Sequence, residues 1–136
     1  MQKYIDSAVE QFKILLTEQI AREEKMAAGA VKKDFSSQEK ITIGVCGGDG
    51  IGPIIVREAK RILEFLLKSD IEKGKIEIKE IEGLTIENRL ALGVAVPPDT
   101  LAQIKQCDVF LKGPTTTPRG GTMESANVAL RRELDL

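Results

Sequence analysis

Apolar residues near the N-terminus recur at helical spacing. Ile5, Ala8, Val9, Phe12, Leu15, Leu16 and Ile20 fall three or four positions apart, with charged residues between them. That spacing predicts an amphipathic helix within residues 1–26. Its stripe can seat another subunit or lie across its own domain. Residues 27–39 carry Ala, Gly, Lys and Ser-Ser without an apolar period, and read as a linker. The pattern changes at Lys40. Ile41–Cys46 is rich in β-branched residues and predicts a strand. A glycine-rich turn, Gly47–Pro53, leads into a helical pattern over Ile54–Lys68 with Ile55, Val56, Ala59, Ile62, Leu63, Leu66 and Leu67 as its apolar positions. Lys75–Ile81 alternates in period two, as a strand with one buried face does. Thr85–Leu92 reads as a short helix, with Thr85 a candidate N-cap and Gly93 a left-handed terminator. After the Pro97-Pro98-Asp99-Thr100 turn, Thr100–Gln106 forms another helical run. Val109-Phe110-Leu111 is a short buried strand, and a last helix opens near Ser125. Strands alternating with helices over residues 40–136 predict an α/β domain built on an open sheet with flanking helices.

Composition narrows the possible chemistry. The chain has 136 residues, the size of one domain, with a net charge of −1. No long single-sign tract suggests a nucleic-acid partner. No stretch is apolar and long enough for a membrane span, and no secretory core is visible. Acidic residues early in the chain argue against an organellar transit peptide, so a cytoplasmic location is expected. Cys46 and Cys107 lack metal-ligand spacing, and the chain has no His, which excludes a His/Cys zinc site.

The informative stretch begins at Leu111-Lys112-Gly113-Pro114-Thr115-Thr116-Thr117-Pro118-Arg119-Gly120-Gly121 and runs on into Ser125-Ala126-Asn127-Val128-Ala129-Leu130-Arg131-Arg132. A strand that ends in a Gly/Thr loop and enters a helix N-terminus offers N–H groups and a favourable dipole to an anion. Ser125 and Asn127 can hydrogen-bond carboxylate or hydroxyl oxygens, and Arg131 can fork onto a carboxylate. The bland alternative is a polar loop that caps a surface helix with solvated arginines. The earlier turn, Gly47-Gly48-Asp49-Gly50-Ile51-Gly52-Pro53, lacks the G-x-G-x-x-G spacing of a dinucleotide fingerprint and the Lys-Ser/Thr of a phosphate loop. By itself it reads as a tight turn.

Together these segments resemble the isocitrate/isopropylmalate dehydrogenase family. LKGPTTTPRGG followed by ESANVALRRELDL is similar to its substrate segment, and GDGIGP after a strand is similar to its opening motif. Ile54 departs from the acidic residue the family usually places after that Pro. The Ser-x-Asn-x-x-x-Arg spacing resembles the isocitrate branch. The resemblance covers Ile41–Leu136 and implies Ser125, Asn127 and Arg131 as substrate residues. It also implies Thr116 as a cofactor contact beside the nicotinamide, with Thr117 and Lys112 as neighbouring candidates. Arg132 is not a substrate position in the family. The implied activity is oxidative decarboxylation of a 2-hydroxy acid, isocitrate or a malate-type homologue such as isopropylmalate, with NAD or NADP and Mg²⁺ or Mn²⁺. The family's catalytic Tyr and Lys, its metal-holding aspartates and its adenosine loop have no counterpart here. The chain is therefore expected to be the N-terminal part of a longer, homo-oligomeric polypeptide and inactive alone, with no catalytic or metal residue in this segment. Two alternatives stay open: a non-catalytic regulatory subunit of the same family, and an interaction module built on the N-terminal helix.

Overall fold

A computed structural model describes residues 1–29, 34–121 and 123–136. The chain divides into two compact units, Met1–Asp34 and Phe35–Leu136. The first is helix α1, Gln2–Gly29. It continues through Ala27 and Ala28, read above as linker, because alanine is a strong helix former. Ile5, Val9, Phe12, Leu16 and Ile20 are all exposed. Residues 30–33 of the expected linker lie outside the described residues, and Phe35–Ser37 makes a single 3-10 turn.

The second unit is α/β. Strand β1 (Ile41–Cys46) leads to α2 (Gly52–Leu66) and a short α3 (Lys68–Glu72). Strand β2 (Ile76–Glu80) leads to α4 (Ile86–Leu92) and α5 (Pro98–Lys105). Strand β3 (Val109–Lys112) leads to α6 (Ala126–Glu133). The sheet is parallel, in the order β2-β1-β3, with Ile43 opposite Ile78 on one side and opposite Val109 on the other. Parallel pairing requires long crossovers, and the helices supply them.

Alternation along β1 sends its side chains into two cores. Ile43 and Val45 pack with Val56 of α2, and Leu111 joins them. Cys46 packs on the opposite face with Ile81, Leu84, Ile104 of α5 and Leu130 of α6. Burying each such aliphatic side chain contributes about 1.5–3 kcal/mol. Two helix termini form as their residues dictate. The Asn88 N–H donates to Thr85 Oγ1 (3.4 Å) at the start of α4, and Gly93 ends it at φ 67°.

Two features differ from the periodicity. Helix α2 turns only one of its apolar stripes inward: Val56 is buried, while Ile55, Ile62 and Leu66 are exposed. Residues 68–72 form a separate helix that no Gly or Pro announces, because the chain turns at Leu67 (φ −100°, ψ 9°).

Candidate active-site loops at the carboxyl edge of the sheet

All three strands end on the same edge, so the loops after β1, β2 and β3 gather there. In an open α/β sheet this is the edge where ligands bind. The turn after β1 and the loop after β3 join backbone to backbone. The Gly113 N–H donates to the Cys46 carbonyl (2.8 Å), and the Asp49 N–H donates to the Pro114 carbonyl (2.7 Å). Glycine permits that approach. Gly48 sits at φ 70°, and a Cβ there would run into the Pro114 carbonyl oxygen. A Cβ on Gly113 would run into the Gly47 carbonyl oxygen. The glycine cluster of the opening motif therefore seats the Pro/Thr loop.

Side chains complete the junction. Asp49 and Arg89 are buried, Arg89 fully. One Asp49 carboxylate oxygen accepts the N–H of Ile86 at the start of α4 (2.7 Å). The other accepts the N–H of Thr116 (2.6 Å). Arg89 projects from α4. Its Nε donates to the Ala95 carbonyl (2.9 Å) and its Nη1 to the Thr116 carbonyl (2.9 Å). Its Nη2 reaches Met123 Sδ (3.7 Å), and Nη1 stands 3.8 Å from Asp49 Oδ2. Two opposite charges are thus removed from water together, and each finds hydrogen-bond partners, as buried charges require.

The residues expected from sequence fall on this edge and on the helix that follows. Lys112 ends β3, and its ammonium donates to the Gly113 carbonyl (2.6 Å) and to Thr115 Oγ1 (3.1 Å). Partial burial pushes its pKa below the ordinary lysine range. Thr116 and Thr117 follow in the loop, both exposed at their side chains. Ser125 is the N-cap of α6 in extended conformation, and its hydroxyl makes no capping bond. Ala126, Ala129 and Leu130 bury the inner stripe of α6. Asn127 and Arg131, four residues apart, lie on one exposed side.

The adjacent arginines differ. Arg132 Nη1 donates to both carboxylate oxygens of Glu124 (2.8 and 3.0 Å), and its Nε lies 3.6 Å from Glu133. Among the described residues, no hydrogen bond or ion pair engages the Asn127 or Arg131 side chain. An open cleft of about 570 Å³ adjoins the loops, lined by Cys46, Gly48, Ile81, Leu84, Thr85 and Asn88 among others. Burial pushes the Cys46 thiol up, against the lowering effect of the Gly48 backbone. Both cysteines are free. No cluster of three or more acidic or cysteine side chains suited to a metal occurs among the described residues.

Sequence reasoning missed Asp49 and Arg89. Asp49 is submerged in a glycine turn, and Arg89 looks like the polar side of a short helix. The available signal was the helical spacing from Ile86 to Arg89, which puts them on one face.

Comparison with known proteins agrees with this architecture. The profile of the isocitrate/isopropylmalate dehydrogenase family matches residues 42–136. The NADP isocitrate dehydrogenase of Staphylococcus aureus is 42% identical over 93 residues, which is 65% of this chain and 21% of the relative. Its counterpart in Coxiella burnetii is 43% identical over 91 residues, with the same shares. That of Caldococcus noboribetus is 36% identical over 102 residues, 72% of this chain and 23% of the relative. The chain thus spans about a fifth to a quarter of these curated relatives. A crystal structure of a β-decarboxylating dehydrogenase from Thermococcus kodakarensis, in its apo form, superimposes with TM-score 0.56 at 29% identity, over 70% of this chain and 27% of that one. No helix among the described residues is long and apolar enough to cross a membrane. With the family profile matching residues 42–136, the chain belongs to the isocitrate/isopropylmalate dehydrogenase family.

Proposed function

We propose that this chain supplies the nicotinamide-side loop and the substrate-carboxylate helix of an NAD(P)-dependent oxidative decarboxylase of a 2-hydroxy acid. Isocitrate, converted to 2-oxoglutarate, is the best-supported substrate, and the names of the relatives favour NADP. The carrying observation is the contrast on α6: both arginines are exposed, but Arg132 is paired with Glu124, while among the described residues the Arg131 side chain beside Asn127 has no such partner. An exposed guanidinium can fork onto a carboxylate at little desolvation cost. In this reading Ser125 and Asn127 hydrogen-bond the remaining carboxylate oxygens and orient the alcohol carbon.

The nicotinamide cofactor, when bound, accepts the hydride from that carbon. In this reading Thr116, Thr117 and Lys112 contact it: the Thr116 backbone is held at its N–H and carbonyl, Thr116 and Thr117 are exposed, and the Lys112 ammonium donates to the preceding Thr115. No group of three or more side chains that could hold Mg²⁺ or Mn²⁺ occurs among the described residues. We further propose that the 136-residue chain does not turn over alone. Metal-dependent reduction of NAD⁺ or NADP⁺ by the purified chain would overturn that point. In a catalytically competent polypeptide carrying this segment, Arg131→Ala and Ser125→Glu should abolish NADP⁺ reduction on isocitrate, while Arg132→Ala should retain most of it. Equal loss from both arginine variants would sink the assignment.

A further inference from the structure

The Pro/Thr loop has little apolar surface with which to hold itself, yet the backbone of its central residue, Thr116, is held at both its N–H and its carbonyl. The N–H of Thr116 donates to Asp49 Oδ2, and the carbonyl of the same residue accepts from Arg89 Nη1. We propose that Asp49 and Arg89 act as a two-point clamp on the Thr116 backbone, and that both are positioning residues for the nicotinamide cofactor.

This inference rests on the cofactor reading above and names what sets the geometry of that contact. Neither side chain is available to a ligand: Arg89 has no exposed surface, and Asp49 is 8% exposed. They act through the backbone, and the Thr116 side chain stays exposed. The clamp has independent anchors. Asp49 is held by the Ile86 N–H and by its own N–H on Pro114. Arg89 is held by the Ala95 carbonyl and touches Met123, two residues before the N-cap of α6. One guanidinium therefore ties the cofactor loop to the approach of the substrate helix.

The chemistry specifies both residue types. A carboxylate accepts two N–H groups at once, whereas an asparagine amide has one acceptor oxygen and would set its NH₂ against an N–H. A guanidinium forks to two carbonyls in a fixed plane, which an ammonium cannot reproduce. Charge-assisted bonds of this kind are stronger than neutral ones, and low dielectric strengthens them further.

Isotope-labelled wild type, Asp49→Asn and Arg89→Lys, each as the 136-residue chain, separate the possibilities. Amide exchange is followed at Thr116 and at Val45 in β1, with an NADP⁺ titration read at Thr116 and Thr117. Losing one charge-assisted bond should speed Thr116 exchange roughly tenfold or more while Val45 stays within about twofold. The NADP⁺ affinity should fall about fivefold or more in both variants. Unchanged Thr116 exchange, or faster exchange with an unchanged NADP⁺ response, overturns the clamp and leaves the cofactor reading intact. Equal acceleration at Val45 assigns the pair to global stability and also overturns it. A wild type whose loop resonances ignore NADP⁺ rejects the cofactor reading, and the positioning role with it.

Discussion

The loop after β3 and helix α6 lie one after the other, and opposite means hold them in place. The loop is fixed from outside: a buried carboxylate and a buried guanidinium hold the Thr116 backbone, and glycines at 48 and 113 allow the backbones to meet. The helix is fixed from within by its own ladder and by Ala126, Ala129 and Leu130 against the core. Its polar side is left to solvent at Asn127 and Arg131. The difference follows from what each segment can bury. A Gly/Pro/Thr loop cannot offset its ordering entropy with apolar surface, so it borrows buried charges. An amphipathic helix orders itself and can present charged groups without desolvating them. Substitutions should therefore damage the two regions in different currencies, stability in the loop junction and binding on the helix.

The largest effect is expected at Arg89. Arg89→Met removes the partner of a buried carboxylate and should cost about 3–5 kcal/mol in urea unfolding. A loss below 1 kcal/mol would mean that Asp49 is already compensated elsewhere. Next is Gly48→Ala, which adds a collision with the Pro114 carbonyl to a left-handed backbone, for roughly 2–4 kcal/mol. Gly50, at φ 58°, meets nothing within 4 Å. Gly50→Ala should therefore cost only about 1 kcal/mol. Equal losses at the two glycines would show that the loop–loop approach carries no energy of its own.

A smaller effect concerns pH. Burial lowers the Lys112 pKa, so the folded chain sheds this proton before the unfolded chain does. Between the lowered value and the ordinary lysine value the unfolded state binds more protons, and stability rises with pH. Lys112→Met should lack that rise, so the stability of wild type relative to variant should climb with pH through the alkaline range. A difference that is flat through the alkaline range would contradict the burial effect. The smallest stability change belongs to α6. Arg131→Ala and Asn127→Ala should alter unfolding by no more than about 0.5 kcal/mol. A larger loss at Arg131 would reveal a partner and weaken its candidacy as a substrate ligand.

The sequence made much of this fold legible, and the limits have physical causes. β1 and β2 follow from β-branching and period two, and the Thr85 and Gly93 termini of α4 follow from local backbone chemistry. Side-chain chemistry at a helix start offered Ser125, Asn127 and Arg131 as an anion site, and the family resemblance alone pointed to Thr116. What stayed hidden depends on contacts distant along the chain. Asp49 meets Thr116 across 67 positions and Ile86 across 37. No local period encodes that. Helix α4 buries Arg89 and exposes Leu90 and Leu92, the reverse of what hydrophobicity alone would assign. The glycines of the opening motif were seen, but their purpose became clear only from the carbonyls they meet. On α2, the exposed stripe through Ile55, Ile62 and Leu66 cannot be told from the buried one by hydrophobicity alone.

The central proposal is that Lys112, Thr116 and Thr117 serve the cofactor and that Ser125, Asn127 and Arg131 serve the substrate. The most direct measurement is a titration of the labelled chain with isocitrate in the presence of NADP⁺, following amide resonances along the segment 112–131. We expect concerted shifts at Thr116, Ser125, Asn127 and Arg131, with the isocitrate response lost in Arg131→Ala. Resonances of this segment that stay still at millimolar ligand, or that move equally in Arg131→Ala, would contradict it.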